Sequence, residues 1–134
     1  MDAVALEPGS VGWQPELPGA EYAILSGDPG AAGGAYVIRF RTSKRIEVPA
    51  HWHPEDEHIT VLAGVFALGF GERFDTGGLR KYEAGSYLAV PKQMRHFALY
   101  EDGTVVQVHG VGPFQSIYVN PDEDLGDRIP AAGG

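Results

Sequence analysis

The sequence predicts an all-β domain, built as an antiparallel sandwich or barrel, and three observations carry that prediction. Short apolar runs of strand length follow one another from Glu21 to Val119, each closed by turn-forming residues. The 19 Gly and 10 Pro are scattered between those runs without a fixed period, which suits many tight turns and neither a collagen nor a linker segment. No stretch of a dozen positions repeats apolar residues at i, i+3, i+4 and i+7, so a packed helix has no signal. A chain of 134 residues holds one domain with a real core and is too short for two comfortable ones.

Taken in order, residues 1–19 are Pro/Gly-rich and irregular, and are expected to form an arm packed through Trp13. EYAILSG (21–27) is a first strand, closed by the loop GDPGAAGG. AYVIRFR (35–41) alternates cleanly, with Tyr36, Ile38 and Phe40 on one face and Arg39 and Arg41 on the other. KRIEVP (44–49) is a short strand. HITVL (58–62) and VFALGFG (65–71) read as a hairpin pair joined at Ala63–Gly64, where a glycine adopts positive φ at little cost. LRKYEAG leads into SYLAVP (86–91), then come HFALYEDG (96–103), TVVQVHG (104–110) and FQSIYV (114–119). Residues 20–120 thus form the barrel, with about nine or ten strands. PDEDLGDRIPAAGG (121–134) reads as a solvated acidic tail.

Composition removes several function classes. The net charge of −8 comes with no basic stripe, which argues against nucleic acid and against an anionic membrane surface. With no cysteine, a disulfide, a thiolate zinc site and a Cys nucleophile are all impossible, so any metal must be held by His and carboxylate. The first nineteen residues lack the basic and apolar regions of a secretory signal, and no apolar run approaches the ~20 residues of a membrane-spanning helix. A soluble cytoplasmic protein is the expectation. GDPGAAGG lacks the Lys-Ser/Thr of a phosphate loop, and no Gly-x-Ser-x-Gly elbow is present.

Three of the five histidines fall in PAHWHPEDEHITVLAG (49–64). On a strand, His51 and His53 share a face with Cα atoms roughly 6.5–7 Å apart, close enough for both imidazoles to reach one ion. Glu57 can reach the same point once Pro54-Glu55-Asp56 turns, and His96, opening a later strand, is the best fourth ligand. Two or more imidazoles with one carboxylate suit Fe, Mn, Co, Ni, Zn or Cu. From these residues alone, a metal cluster and a solvated acidic loop both stay open.

The wider spacing adds a resemblance. His51-x-His53-x3-Glu57-x6-Gly64 resembles the first motif of the cupin superfamily, and Gly85-x5-Pro91-x-Gln93-x2-His96 resembles its second. Twenty residues separate Gly64 from Gly85, as in the short inter-motif loops of small cupins. The resemblance covers about residues 20–120 and implies a jelly-roll β-barrel holding one divalent transition metal through His51, His53, Glu57 and His96. Three positions depart from the family pattern: Arg45 and Gln93 stand where it has Gly, and Tyr100 where it often has Asn. None is a ligand position. The resemblance also implies a homodimer, and residues 1–20 are expected to cross to the partner.

His58, next to Glu57, is expected on the opposite face from the ligands, and Glu55 and Asp56 in a solvated turn. Candidate catalytic residues are Tyr100, which shares strand parity with His96, and His109, either a base lining the pocket or a plain rim histidine. Arg95 and Gln107 are further polar residues near the proposed site. Three functions compete: a metal-dependent dioxygenase acting on a small oxygenated, enolisable compound; a Lewis-acid isomerase or lyase using a nearby base; and a non-catalytic metal or small-molecule binding module.

Overall fold

In the computed structural model, which describes residues 1–125, eleven strands form two facing antiparallel sheets. The strands are β1 (Gln14–Leu17), β2 (Ala20–Ser26), β3 (Ala35–Thr42), β4 (Ile46–Trp52), β5 (Glu57–Ala63), β6 (Val65–Phe70), β7 (Arg80–Glu83), β8 (Tyr87–Val90), β9 (His96–Tyr100), β10 (Val105–Val111) and β11 (Ile117–Tyr118). One sheet runs β1-β2-β3-β10-β5-β8 and the other β11-β4-β9-β6-β7. This is a single-domain jelly roll, as expected, and no α-helix occurs among the described residues. Residues 126–134 of the acidic tail lie outside the described residues.

The period-2 pattern explains which side chains meet. In β3, Tyr36, Ile38 and Phe40 point inward and are buried, while Arg39 and Arg41 face out. Their outward positions are used: Arg39 donates to Gln107 across the β3–β10 ladder, and Arg41 pairs with Glu21 across β2–β3 while lying 4.0 Å over the Trp13 ring. The inward residues join Ile59, Val61, Phe66, Leu68, Val106 and Val108 in one core between the sheets.

β9 is buried on both faces, which fixes where His96 begins it. Gly69, directly opposite Phe97 on β6, leaves room for that ring: a Cβ there would sit 2.3 Å from it. Phe74 then covers Phe97 from outside, ring centroids 5.5 Å apart.

Three expectations are corrected. β5 and β6 are not a hairpin: β5 pairs with β10 and β8 and β6 with β9 and β7, so Ala63–Gly64 is a corner between sheets. Gly64 has the anticipated positive φ of +73°, and the buried Thr104 stitches the corner by hydrogen bonds to Val65. The stretch before Ala20 carried no strand signal, yet Gln14–Leu17 pairs with β2 at the sheet edge. FQSIYV contributes only the two residues of β11, because Phe114 N–H bonds to Pro29 O and the Gln115 carbonyl turns to His53.

Candidate metal centre

β4 carries His51 in its last turn of pleat and His53 follows at once, while β9 opens with His96, whose Cα lies opposite that of His51. Glu57 opens β5 on the facing sheet. All four side chains are buried, between 2% and 6% exposed. The imidazole nitrogens of His51, His53 and His96 come within 4.8 Å of one another, so the three together can hold a metal ion. Glu57 Oε1 lies 3.3 Å from His53 Nε2 and 3.5 Å from His96 Nε2.

Backbone carbonyls orient all three rings. Nδ1 of His51 is 2.7 Å from Pro49 O, Nδ1 of His96 is 2.9 Å from Met94 O, and Nδ1 of His53 is 2.9 Å from Gln115 O. A carbonyl only accepts, so each Nδ1 carries the hydrogen and each Nε2 is turned to the centre, as in metal-ligating histidines whose other nitrogen is anchored. Burial, together with the neighbouring His96 and His53, lowers the His51 pKa to about 3, so this ring stays neutral near pH 7. For Glu57, burial works to raise the pKa, but its close neighbours His53 and then His96 outweigh it and hold the carboxyl well below its ordinary value.

These residues fit a borderline divalent metal. Buried carboxylates normally find hydrogen-bond partners, yet Glu57 Oε1 makes no hydrogen bond while it faces the inward imidazoles. Neutral nitrogens plus one anionic oxygen form a donor set for Fe, Mn, Co, Ni, Zn or Cu.

The turn between His53 and Glu57 is exposed at Glu55 and Asp56, but Asp56 is more than solvated: its carboxylate accepts from Lys92 N–H at 2.8 Å. On the other side Gln93 N–H donates to His53 O at 2.9 Å. The two motif segments are thus tied together directly beside the histidine cluster.

A partly open cavity of about 80 Å³ extends between the sheets from His51, His53 and Glu57 to Tyr100. Phe40, Ile46, Val48 and Phe114 supply apolar wall, and the Phe114 ring stacks on His53 at 5.0 Å. Tyr100 therefore lines the same cavity as the histidines. His109 does not: it is exposed on the outer face of the six-stranded sheet, stacked at 4.8 Å on His58, which in turn contacts the Tyr87 hydroxyl at 2.6 Å. His58 faces away from the cluster, as its parity predicted. Gln107 is engaged with Arg39, and Arg95 lies over Trp52 at 4.8 Å, so neither enters the cavity. Sequence reasoning missed Glu16, Leu17, Ser116 and Tyr118 in the lining. They come from segments without a motif, and only the three-dimensional closure of the chain brings them in.

A family model described as a ChrR cupin-like domain matches residues 1–115. Among solved structures, the chain is similar to the polyketide cyclase RemF from Streptomyces resistomycificus, at 19% identity over 92% of this chain and 90% of that one, with a TM-score of 0.69. KdgF from Halomonas sp. matches at 18% identity over 83% of this chain and 96% of that one, TM-score 0.64. Salicylate 1,2-dioxygenase from Pseudoaminobacter salicylatoxidans matches at 17% over 72% of this chain and 26% of that one, TM-score 0.58. At such identities the likeness is one of fold. No curated protein matches by sequence.

Proposed function

The chain belongs to the ChrR cupin-like domain family, and on that premise we propose a metal-dependent, dioxygenase-type enzyme acting on a small oxygenated, enolisable compound, with His51, His53, His96 and Glu57 as the metal ligands. The observation that carries this reading is the convergence of three carbonyl-anchored imidazoles on a buried carboxylate at one end of a cavity. When bound, the metal supplies Lewis acidity and, if it is redox-active, dioxygen chemistry. The chain's own residues do the rest. The Nδ1 anchors hold the rings in one orientation, Phe114 and Val48 keep water off the cavity wall, and the Glu57 carboxylate offsets positive charge at the centre.

The Lewis-acid reading asks for a base beside the metal, and two of its three candidates, His58 and His109, lie on the outer face. That favours the dioxygenase. A homodimeric, cytoplasmic protein belongs to the same proposal.

Metal analysis of protein purified without affinity nickel is the first test. Iron, with oxygen uptake that depends on an added small diketone, supports the dioxygenase; tightly held zinc without oxygen uptake overturns it. His51→Ala combined with His96→Ala should abolish stoichiometric metal, and retained metal would mean that the ligand set is wrong.

A further inference from the structure

The far end of the cavity carries its own chemistry. The β4–β9 register sets its inner wall in three levels: His51 opposite His96, Val48 opposite Ala98, and Ile46 opposite Tyr100. At about 3.3 Å per residue, the Tyr100 Cα stands roughly 13 Å along the strand from that of His96. Between the two ends the wall residue of β4 is Val48, which lines the cavity and stands opposite Ala98 in the ladder. The Tyr100 ring is held edge-on against Phe66, centroids 5.0 Å apart, so the direction of its hydroxyl is set by packing. Tyr100 lines the cavity there, with Glu16 and Tyr118 close by.

We propose that Tyr100 is the second recognition point of this cavity, donating a hydrogen bond to an oxygen of a small uncharged ligand whose other end lies at the histidine cluster, and that the cavity selects such neutral oxygenated compounds over carboxylates of the same size. The inference rests on the metal reading above for the orientation of the ligand and adds its class and its positioning residue.

Two features set the selectivity. Burial, with Glu16, Glu57 and Tyr118 nearby, keeps the Tyr100 hydroxyl protonated far above neutral pH, so it is a donor. The lining also carries two carboxylates, Glu16 and Glu57, while the guanidinium of its one arginine, Arg41, faces out and lies 2.9 Å from Glu21. A ligand carboxylate at the Tyr100 end would lose its water without gaining a cation, and that is costly. A carbonyl or hydroxyl oxygen needs only the one hydrogen bond.

The test uses the full-length, metal-loaded protein and two probes of one skeleton, acetylacetone and acetoacetate, titrated calorimetrically. Acetylacetone should bind at least about tenfold more tightly than acetoacetate. Tyr100→Phe keeps the ring and its packing, and should weaken acetylacetone about tenfold, the value of one hydrogen bond. It should also shrink the preference over acetoacetate, which a merely structural role would leave alone. Val48→Phe, at a residue that lines the cavity, keeps the hydroxyl, narrows the space and should weaken acetylacetone binding at least about tenfold with metal content unchanged. Equal affinities for the two probes, or an unchanged affinity in Tyr100→Phe, overturn the inference. Metal content is read before either probe is added. Absent metal overturns the metal reading and this inference together, whereas full metal with unchanged affinities overturns this inference alone.

Discussion

Gln93 adopts a φ of +65°, a left-handed conformation, and it does so with its N–H bonded to the carbonyl of His53. The related motif usually carries glycine here, and the backbone shows why. Left-handed geometry costs a residue with a Cβ about 1–2 kcal/mol, while glycine loosens the unfolded chain at a cost of about 0.4–1 kcal/mol. The first effect is larger, so Gln93→Gly should stabilise the protein by about 0.5–1 kcal/mol in urea unfolding and leave metal content unchanged. A loss of stability would mean that the exposed Gln93 side chain contributes contacts the fold needs. Glu57 is the opposite case. Glu57→Gln keeps shape and removes charge, and metal affinity should fall at least about tenfold, since changes one shell further out from a metal already cost 10–100-fold. The clustering of His51, His53, Glu57 and His96 was legible because histidine spacing survives as a linear pattern. Their orientation was not, because Pro49, Met94 and Gln115 act through carbonyl oxygens that every residue possesses.

At the scale of elements, the existence of most strands was legible and strand partnership was not. Alternation in β3 fixes which face is buried, a local property. Ala63–Gly64 carries the signal of a hairpin and makes a corner, because the choice depends on β10 and β9, which lie some forty residues later in the chain. The corner has a steric signature of its own. A Cβ on Gly64 would meet Thr104 Cα at 2.6 Å and Gly103 O at 2.7 Å, both backbone atoms, in addition to the strain of its positive φ. Gly64→Ala is therefore expected to cost about 2–3 kcal/mol, more than the roughly 1 kcal/mol of a strain-free backbone change. The urea midpoint reads this directly. A cost below 1 kcal/mol would show that the corner relaxes and that the sheets are not locked there. β1 escaped detection because Gln14-Pro15-Glu16-Leu17 has no apolar alternation; it pairs at an edge, where proline is tolerated and β2 supplies the template.

On the scale of the whole molecule the histidine cluster joins the two sheets, His51 and His96 from one and Glu57 from the other, so its protonation state is felt by folding. In the metal-free protein burial and the neighbouring imidazoles lower the His51 pKa to about 3, against roughly 6.5 in an unfolded chain. The sign follows from proton counting. Between those values the unfolded chain binds a proton at this position that the folded chain does not, so stability falls as the solution is acidified. The contribution is fully present above about pH 6.5 and is lost progressively as pH falls through about 3. Glu57, held below its ordinary pKa, acts in the same direction at the acidic end. Urea midpoints of the metal-free protein should therefore decline steadily from pH 7 to pH 4, and His51→Gln, which cannot take up the proton, should flatten that slope. A ligand that binds only the folded state adds RT ln(1 + [L]/Kd), so a metal at a hundred times its Kd should contribute about 2.7 kcal/mol. For a domain of this size that raises Tm by roughly 10 °C. The increment should vanish with a chelator and be absent in the His51→Ala, His96→Ala double variant. If the double variant gains the same increment, the metal is held elsewhere, and the cluster between the sheets is only a buried polar network.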